Sequence, residues 1–153
     1  MYITQIATTQ TIISKIIALR YDVLRKPWDQ TIETATDNLE DSSVNAYIEK
    51  GEKIIACGRL QNNGNGMGQI RYMAVSPNYQ GKGLGKLIVL KLEEEARLIQ
   101  ISTIELQARE NAVPFYQSQG YVITEKSYKL WDSIQHYLMT KKVQHFLLLA
   151  IQW

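Results

Sequence analysis

The run Gln80-Gly81-Lys82-Gly83-Leu84-Gly85-Lys86 is where residue types and spacing point most directly to chemistry. Glycines at alternate positions remove the Cβ atoms that would keep a ligand away from the backbone. The amphipathic segment after them predicts a helix to about residue 99, whose first N–H groups and positive dipole end face the glycines. Strand, glycine loop and helix start together form an anion cradle, and Lys82 and Lys86 add charge to it. Neither common nucleotide loop fits. A Walker A loop needs a glycine where Gln80 stands and Ser or Thr where Leu87 stands, and a dinucleotide fingerprint needs a third glycine where Lys86 stands. Glu105 would be placed as a ribose-binding acid, but three antiparallel-looking strands precede the loop, which is wrong for a βαβ unit.

A second candidate is His136, whose imidazole titrates near neutrality and can take a proton directly or through water; its other reading is a hydrogen-bonded strand histidine that shapes the site. Glu105 and Glu110 are further candidate bases. Asp37, Glu40 and Asp41 read as a solvated acidic loop that could attract a cationic acceptor. Cys57 lies in an alternating strand and reads as a small buried hydrophobe. His145 sits in an apolar tail without chemical context. Two histidines and one cysteine, widely spaced, give no metal signature.

These residues need elements to hold them. Residues 2–6 read as a strand. Thr8 or Thr9 can cap a helix with Ile12, Ile16, Leu19 and Val23 at helical spacing, ended by Pro27. Residues 28–43 are polar and irregular. Two strands, 44–49 and 53–60, form a hairpin about Lys50-Gly51-Glu52. Residues 62–66 are turn formers, and 67–75 is a third strand. The long helix carries Leu84, Leu87, Ile88, Leu92, Ala96 and Ile99 on one side. Residues 103–107 form a strand, Asn111 can cap a short helix that Gly120 stops, and 121–128 and 135–143 are two last strands. The order is β-α-βββ-α-β-α-ββ, a mixed α/β sheet flanked by helices. Residues 1–143 read as one domain, with 144–153 as its apolar C-terminal tail.

The 153 residues suffice for a real core, and 45% hydrophobic with 21% charged residues is ordinary for a soluble globular protein. A net charge of +2 with dispersed Lys and Arg argues against a nucleic-acid partner. The single cysteine fits a reducing cytoplasm. No apolar run approaches the roughly 20 residues of a membrane span. The tail Phe146-Leu147-Leu148-Leu149-Ala150-Ile151 is expected to be buried on its own domain or in a homodimer.

Two segments carry a resemblance. Gln80, Gly83 and Gly85, after Met73-Ala74-Val75-Ser76-Pro77, match the [QR]-x-x-G-x-[GA] loop that binds the acetyl-CoA pyrophosphate in the GCN5-related N-acetyltransferase (GNAT) family. Downstream, Asn111-Ala112-Val113-Pro114-Phe115-Tyr116-Gln117-Ser118-Gln119-Gly120-Tyr121 resembles that family's N-x-x-[AP]-x-x-[FY]-[FY]-x-x-x-G-[FY] segment. A likeness to the ElaA-like acyltransferases rests on Leu19-Arg20-Tyr21-Asp22-Val23-Leu24-Arg25, the acidic segment 37–41, and His136-Tyr137-Leu138-Met139, where Gln135 replaces that group's proline.

The resemblance implies a GNAT fold and an acetyl-CoA-dependent N-acetyltransferase, in which an amine attacks the thioester directly in a ternary complex. It implies that Met73, Ala74 and Val75 flank the pantetheine arm in a cleft between the fourth and fifth strands. Gln80, Gly81, Lys82, Gly83, Leu84, Gly85 and Lys86 would hold the pyrophosphate, and Asn111, Phe115 and Tyr116 would complete the cofactor site. Tyr116 falls at the family's tyrosine beside the CoA sulfur, and its phenol, ordinarily titrating at about 10, is a protonated acid for the thiolate. The acceptor loops would be 28–43 and 127–135. The alternative is a non-catalytic acyl-CoA-binding or sensing domain on the same fold. An intact Tyr116 favours the enzyme, and turnover without a protein partner separates the two.

Overall fold

Thr9 starts the first helix as expected: its hydroxyl accepts from the Ile12 backbone N–H at 3.3 Å. The computed structural model describes residues 1–143; the tail, with its expected burial, and His145 lie outside the described residues. Seven strands form one mixed sheet flanked by helices: β1 (Thr4–Ile6), β2 (Val44–Lys50), β3 (Lys53–Gly64), β4 (Met67–Val75), β5 (Thr103–Arg109), β6 (Val122–Leu130) and β7 (Ile134–Lys142). Their order is β1-β2-β3-β4-β5-β7-β6. The helices are α1 (Gln10–Arg20), α2 (Leu84–Leu98) and α3 (Val113–Ser118). The element order is the one the periodicities predict. By its internal contacts the chain divides into two compact units, Met1–Gln61 with Ile70–Glu95, and Asn62–Gln69 with the chain from Ala96 onward.

In the first unit, Ile16 and Leu19 of α1 pack with Tyr47, Ile54, Cys57 and Ala74, and Ile12 and Val23 lie against that cluster. The predicted stripe is therefore the buried one. Pro27 does not end the helix. α-Geometry stops at Arg20, five residues of π-helix (Tyr21–Arg25) follow, and Pro27 sits inside a 3-10 turn (Lys26–Trp28). Under the glycine loop, Leu84, Ile88, Val89 and Leu92 of α2 are buried. Gly58 of β3 lets α2 approach closely: a Cβ there would come within 2.7 Å of Ile88 Cγ2.

The acidic segment is not the solvated loop expected from its charges. Glu40 is buried and accepts two hydrogen bonds from the fully buried Arg20, at 2.5 and 3.2 Å, with Thr36 and Asn45 as further donors. Asp37 takes both Nη atoms of Arg59, at 2.8 and 2.9 Å, and Arg71 at 3.0 Å. Only Asp41 is exposed. Burial raises the Glu40 carboxyl, but the Arg20 hydrogen bonds and charge, helped by Asn45 and Thr36, outweigh it and bring it to about 2. Residues 28–43 thus contain two 3-10 turns, Ile32–Ala35 and Glu40–Ser42, and the segment is anchored to α1, β3 and β4 by ion pairs and to β2 by the Asn45 hydrogen bond. At the centre lies the Tyr72 ring, with the guanidinium carbons of Arg20, Arg25, Arg59 and Arg71 4.5–5.6 Å from its centroid. Tyr72 has φ +57 in the middle of a strand, a conformation that persists only where the surroundings enforce it.

In the second unit the expected loop 62–66 shrinks to Asn65-Gly66, with φ +57 and +76, which match the primed turns that join twisted strands. β7 lies between β5 and β6, antiparallel to both. Ile104, Leu106, Ala108, Tyr116, Tyr121 and Met139 contribute buried side chains. α2 ends at Leu98, so Ile99 is outside the helix and 43% exposed rather than on its buried side. Asn111 does not cap α3: it lies in a 3-10 turn (Glu110–Ala112), and the N-cap residue, Ala112, makes no side-chain cap. Gly120, at φ +94, turns the chain out of α3, and Lys141 Nζ donates to the Gln119 carbonyl at 2.8 Å.

Candidate active site

The glycine loop belongs to the first unit. β4 delivers Met73, Ala74 and Val75 to it, with Ala74 buried and the other two half-buried. The Ser76 N–H donates to the Ile55 carbonyl at 2.8 Å, a 3-10 turn (Pro77–Tyr79) follows, and Gln80 Nε2 donates back to the Val75 carbonyl at 3.1 Å. The Gln80 side chain therefore closes the loop rather than projecting from it. Gly81 and Gly83 have φ of +78 and +79, and a Cβ on either would meet no atom of the described residues within 4 Å. Glycine is needed there for backbone conformation, and the space in front is open. Gly85 differs: it lies in the first turn of α2, beside Leu84. That turn leaves N–H groups without intrahelical acceptors. Lys82 and Lys86 are exposed beside it. Sequence reasoning missed Lys50: its Nζ lies 5.4 Å from the Tyr79 ring centroid, and Lys82 Nζ lies 5.6 Å from the same ring. Nothing local in a hairpin turn nearly thirty residues away signals that approach.

Tyr116 and His136 belong to the second unit. Tyr116 is 8% exposed, edge-on to Phe115 (5.0 Å) and Tyr121 (6.0 Å). Burial pushes its hydroxyl well above the ordinary tyrosine value, against the opposing pull of Arg109, so the phenol keeps its proton. Asn111 is exposed. His136 is 4% exposed, and Nδ1 lies 2.9 Å from the Ile134 carbonyl. A carbonyl accepts only, so Nδ1 carries the hydrogen and Nε2 of the neutral ring has the lone pair. Burial holds the imidazole below its ordinary value, the Ile134 carbonyl opposes this, and the Arg109 charge adds to it.

Arg109 was not anticipated. The β5–β7 register sets it directly across from His136, and its charge reaches both His136 and Tyr116. Gln107 lies two residues back on the same strand, and its buried Oε1 has no hydrogen-bond partner among the described residues. Of the other candidate bases, Glu105 pairs with Thr140, four residues along β5 from Arg109, and Glu110 accepts from the Tyr137 hydroxyl at 3.5 Å. Cys57 is buried and its thiol is pushed up to about 12, so it stays protonated and takes the small-hydrophobe role. No cluster of three or more His, Cys, Asp or Glu that could hold a metal exists among the described residues, and no helix among them is long and apolar enough to cross a membrane.

Comparison with known proteins bears on the family and the fold. The sequence model of the Acetyltransferase (GNAT) family matches residues 13–121. An uncharacterized N-acetyltransferase of Bacillus subtilis, YjcF, is 32% identical over 124 residues, which cover 80% of this chain and 87% of that protein. At the level of fold, the structure of a putative N-acetyltransferase from Lactobacillus plantarum superposes with a TM-score of 0.83 at 19% identity, covering 94% of this chain and 99% of the other. That of Escherichia coli ElaA does so with 0.73 at 17% identity, covering 92% and 99%.

Proposed function

The chain belongs to the GNAT acetyltransferase family and is an acyltransferase, and on that premise we propose that it moves an acetyl group from acetyl-CoA to an amine by direct attack. The observation that carries the proposal is the loop at Gly81 and Gly83: two left-handed glycines facing open space at the start of a 15-residue helix. That combination suits a diphosphate, whose oxygens take backbone N–H groups close to the chain while Lys82 and Lys86 offset the charge. Met73, Ala74 and Val75, which lead into the loop, would flank the pantetheine arm, and Phe115 and Asn111 would lie near the cofactor.

Acetyl-CoA supplies a thioester whose carbonyl carbon accepts the amine nitrogen and whose carbon–sulfur bond then breaks. The chain's own part is proton handling. An alkylamine is mostly cationic at neutral pH, with a pKa of about 10, so a base must remove its proton. His136 Nε2 takes that proton, because its lone pair is fixed by the Nδ1–H donated to Ile134. Tyr116 donates its hydroxyl proton to the departing sulfur and regains one as the nitrogen sheds its second proton in becoming the amide, and its burial keeps the resting hydroxyl protonated. Gln107 Oε1, a buried acceptor without a donor among the described residues, is suited to take an N–H of the incoming amine.

A thiol-release assay with acetyl-CoA against a panel of amines, amino acids and peptide N-termini, without other proteins, tests this reading. Amine-dependent release above the hydrolysis background is expected. Saturable acetyl-CoA binding with no release on any amine would overturn it in favour of a binding or sensing role.

A further inference from the structure

We propose that Tyr128 and Gln135 are positioning residues for His136, acting through a bulge built into β6 opposite it; this deepens the reading of His136 as the base and rests on it. The β6–β7 ladder pairs Lys126 with Tyr137 and then Lys129 with Gln135. One residue of β7, His136, lies between the paired positions, whereas β6 supplies two, Ser127 and Tyr128. An extra residue bends the strand and re-aims its side chains. Here it brings the Tyr128 ring onto the imidazole, with centroids 4.7 Å apart and planes 14° from parallel.

A bulge leaves carbonyls without ladder donors, which costs stability unless another donor reaches them. Gln135 supplies it. Its Nε2 donates to the carbonyls of Ser127 at 3.1 Å, Tyr128 at 3.4 Å and His136 at 2.9 Å. The imidazole is thereby fixed in two respects: the Ile134 carbonyl sets its tautomer, and the Tyr128 ring sets its plane and covers one side.

Cover on that side matters because Tyr128 is 48% exposed while His136 is only 4% exposed. The phenol ring stands between the imidazole and water, which disfavours the charged ring and keeps the lone pair available. Arg109 on β5 lies across the ladder, Glu110 follows it and accepts from the Tyr137 hydroxyl, and Glu125 on β6 pairs with Leu138 one step along the same face. Lys126 and Lys129 pair with Tyr137 and Gln135, the neighbours that alternate to the opposite face.

The test uses the full-length protein and reads His136 directly. The imidazole C–H resonance, assigned by its loss in His136→Ala and with His145 as internal control, is titrated in the parent, Tyr128→Phe, Tyr128→Ala and Gln135→Ala. The pH–rate profile and the acetyl-CoA Kd are measured alongside. The parent and Tyr128→Phe are expected to titrate together, below the ordinary value of about 6.5. Tyr128→Ala and Gln135→Ala are expected to move up toward that value. The acid limb of kcat/KM should follow, and kcat should fall roughly tenfold, a part of the 10²–10⁴ that proton transfer contributes, with acetyl-CoA Kd unchanged. If His136 titrates in folded Tyr128→Ala as it does in the parent, the proposal is overturned. If the titration shifts while the pH–rate profile stays put, the positioning is upheld and His136 is not the base.

Discussion

The phenol of Tyr116 and the carboxylate of Glu40 show two opposite results of burial. At Tyr116 desolvation outweighs the pull of Arg109, so the proton stays; Glu40 has Arg20 in contact, so the charge stays. Tyr116→Phe keeps the ring contacts with Phe115 and Tyr121 but removes the proton. It is expected to lower kcat by about 10²- to 10⁴-fold with acetyl-CoA affinity within a factor of two, the size of a lost general acid; equal turnover in parent and variant would return Tyr116 to a purely structural role. For Glu40 the sign follows from a folded value of about 2 against an ordinary 4.5. The stabilisation is fully present above pH 4.5 and is lost as pH falls from there toward 2, amounting to roughly 3 kcal/mol. Glu40→Gln, which leaves buried Arg20 without its carboxylate, is expected to cost about 3–5 kcal/mol at neutral pH. It should also flatten the acid dependence, as measured by urea unfolding at a series of pH values; a parallel pH dependence in parent and variant would refute the assignment. The protonated phenol was expected from the sequence, whereas the Glu40 outcome was not legible in the chain: Glu40 reads as one of three clustered acids, and its partner is twenty residues away on another element.

Elements whose signals are local were legible. The apolar stripe of α1, the Thr9 cap, the Gly81 and Gly83 turn and the alternation of β4 and β5 stand in the sequence because each depends on neighbours within a turn or two. Beyond the hairpin of β2 and β3, which was read from its turn, pairing between strands was not. That β7 inserts between β5 and β6, setting His136 across from Arg109, depends on contacts between segments some thirty residues apart, and no periodicity records it. Likewise the β6 bulge appears in sequence only as ordinary polar residues. The Asn65-Gly66 turn was legible in principle, but three further turn formers before it made the loop look longer than it is. The glycine loop gives the test at this scale. Gly83→Val adds no overlap, since nothing lies within 4 Å of the new Cβ, but φ +79 excludes a β-branched residue. The backbone must therefore leave its present course. Acetyl-CoA affinity, measured by calorimetry, is expected to fall at least tenfold with the far-ultraviolet dichroism unchanged, whereas unaltered affinity in a folded variant would remove the pyrophosphate from this loop.

Across the whole molecule, a ligand that binds only the folded chain should stabilise it by mass action. At a hundredfold excess over Kd, acetyl-CoA is expected to add about 2.7 kcal/mol, or roughly 5–10 °C in Tm. Scanning calorimetry of the parent and Gly83→Val checks this, since the shift should vanish in the variant; no shift in the parent would mean that acetyl-CoA is not its ligand. The division into two units has a different kind of consequence. The chain passes between them after Gln61, Gln69 and Glu95, and each passage falls inside a continuous element: β3, β4 and α2. For recombination between related genes, exchanging the unit that carries Tyr116 and His136 would take three crossovers, each cutting through a strand or helix whose two halves must then match. A segment interleaved in this way is not traded as a cassette, so residues such as Tyr116 and His136 change by substitution within an inherited frame.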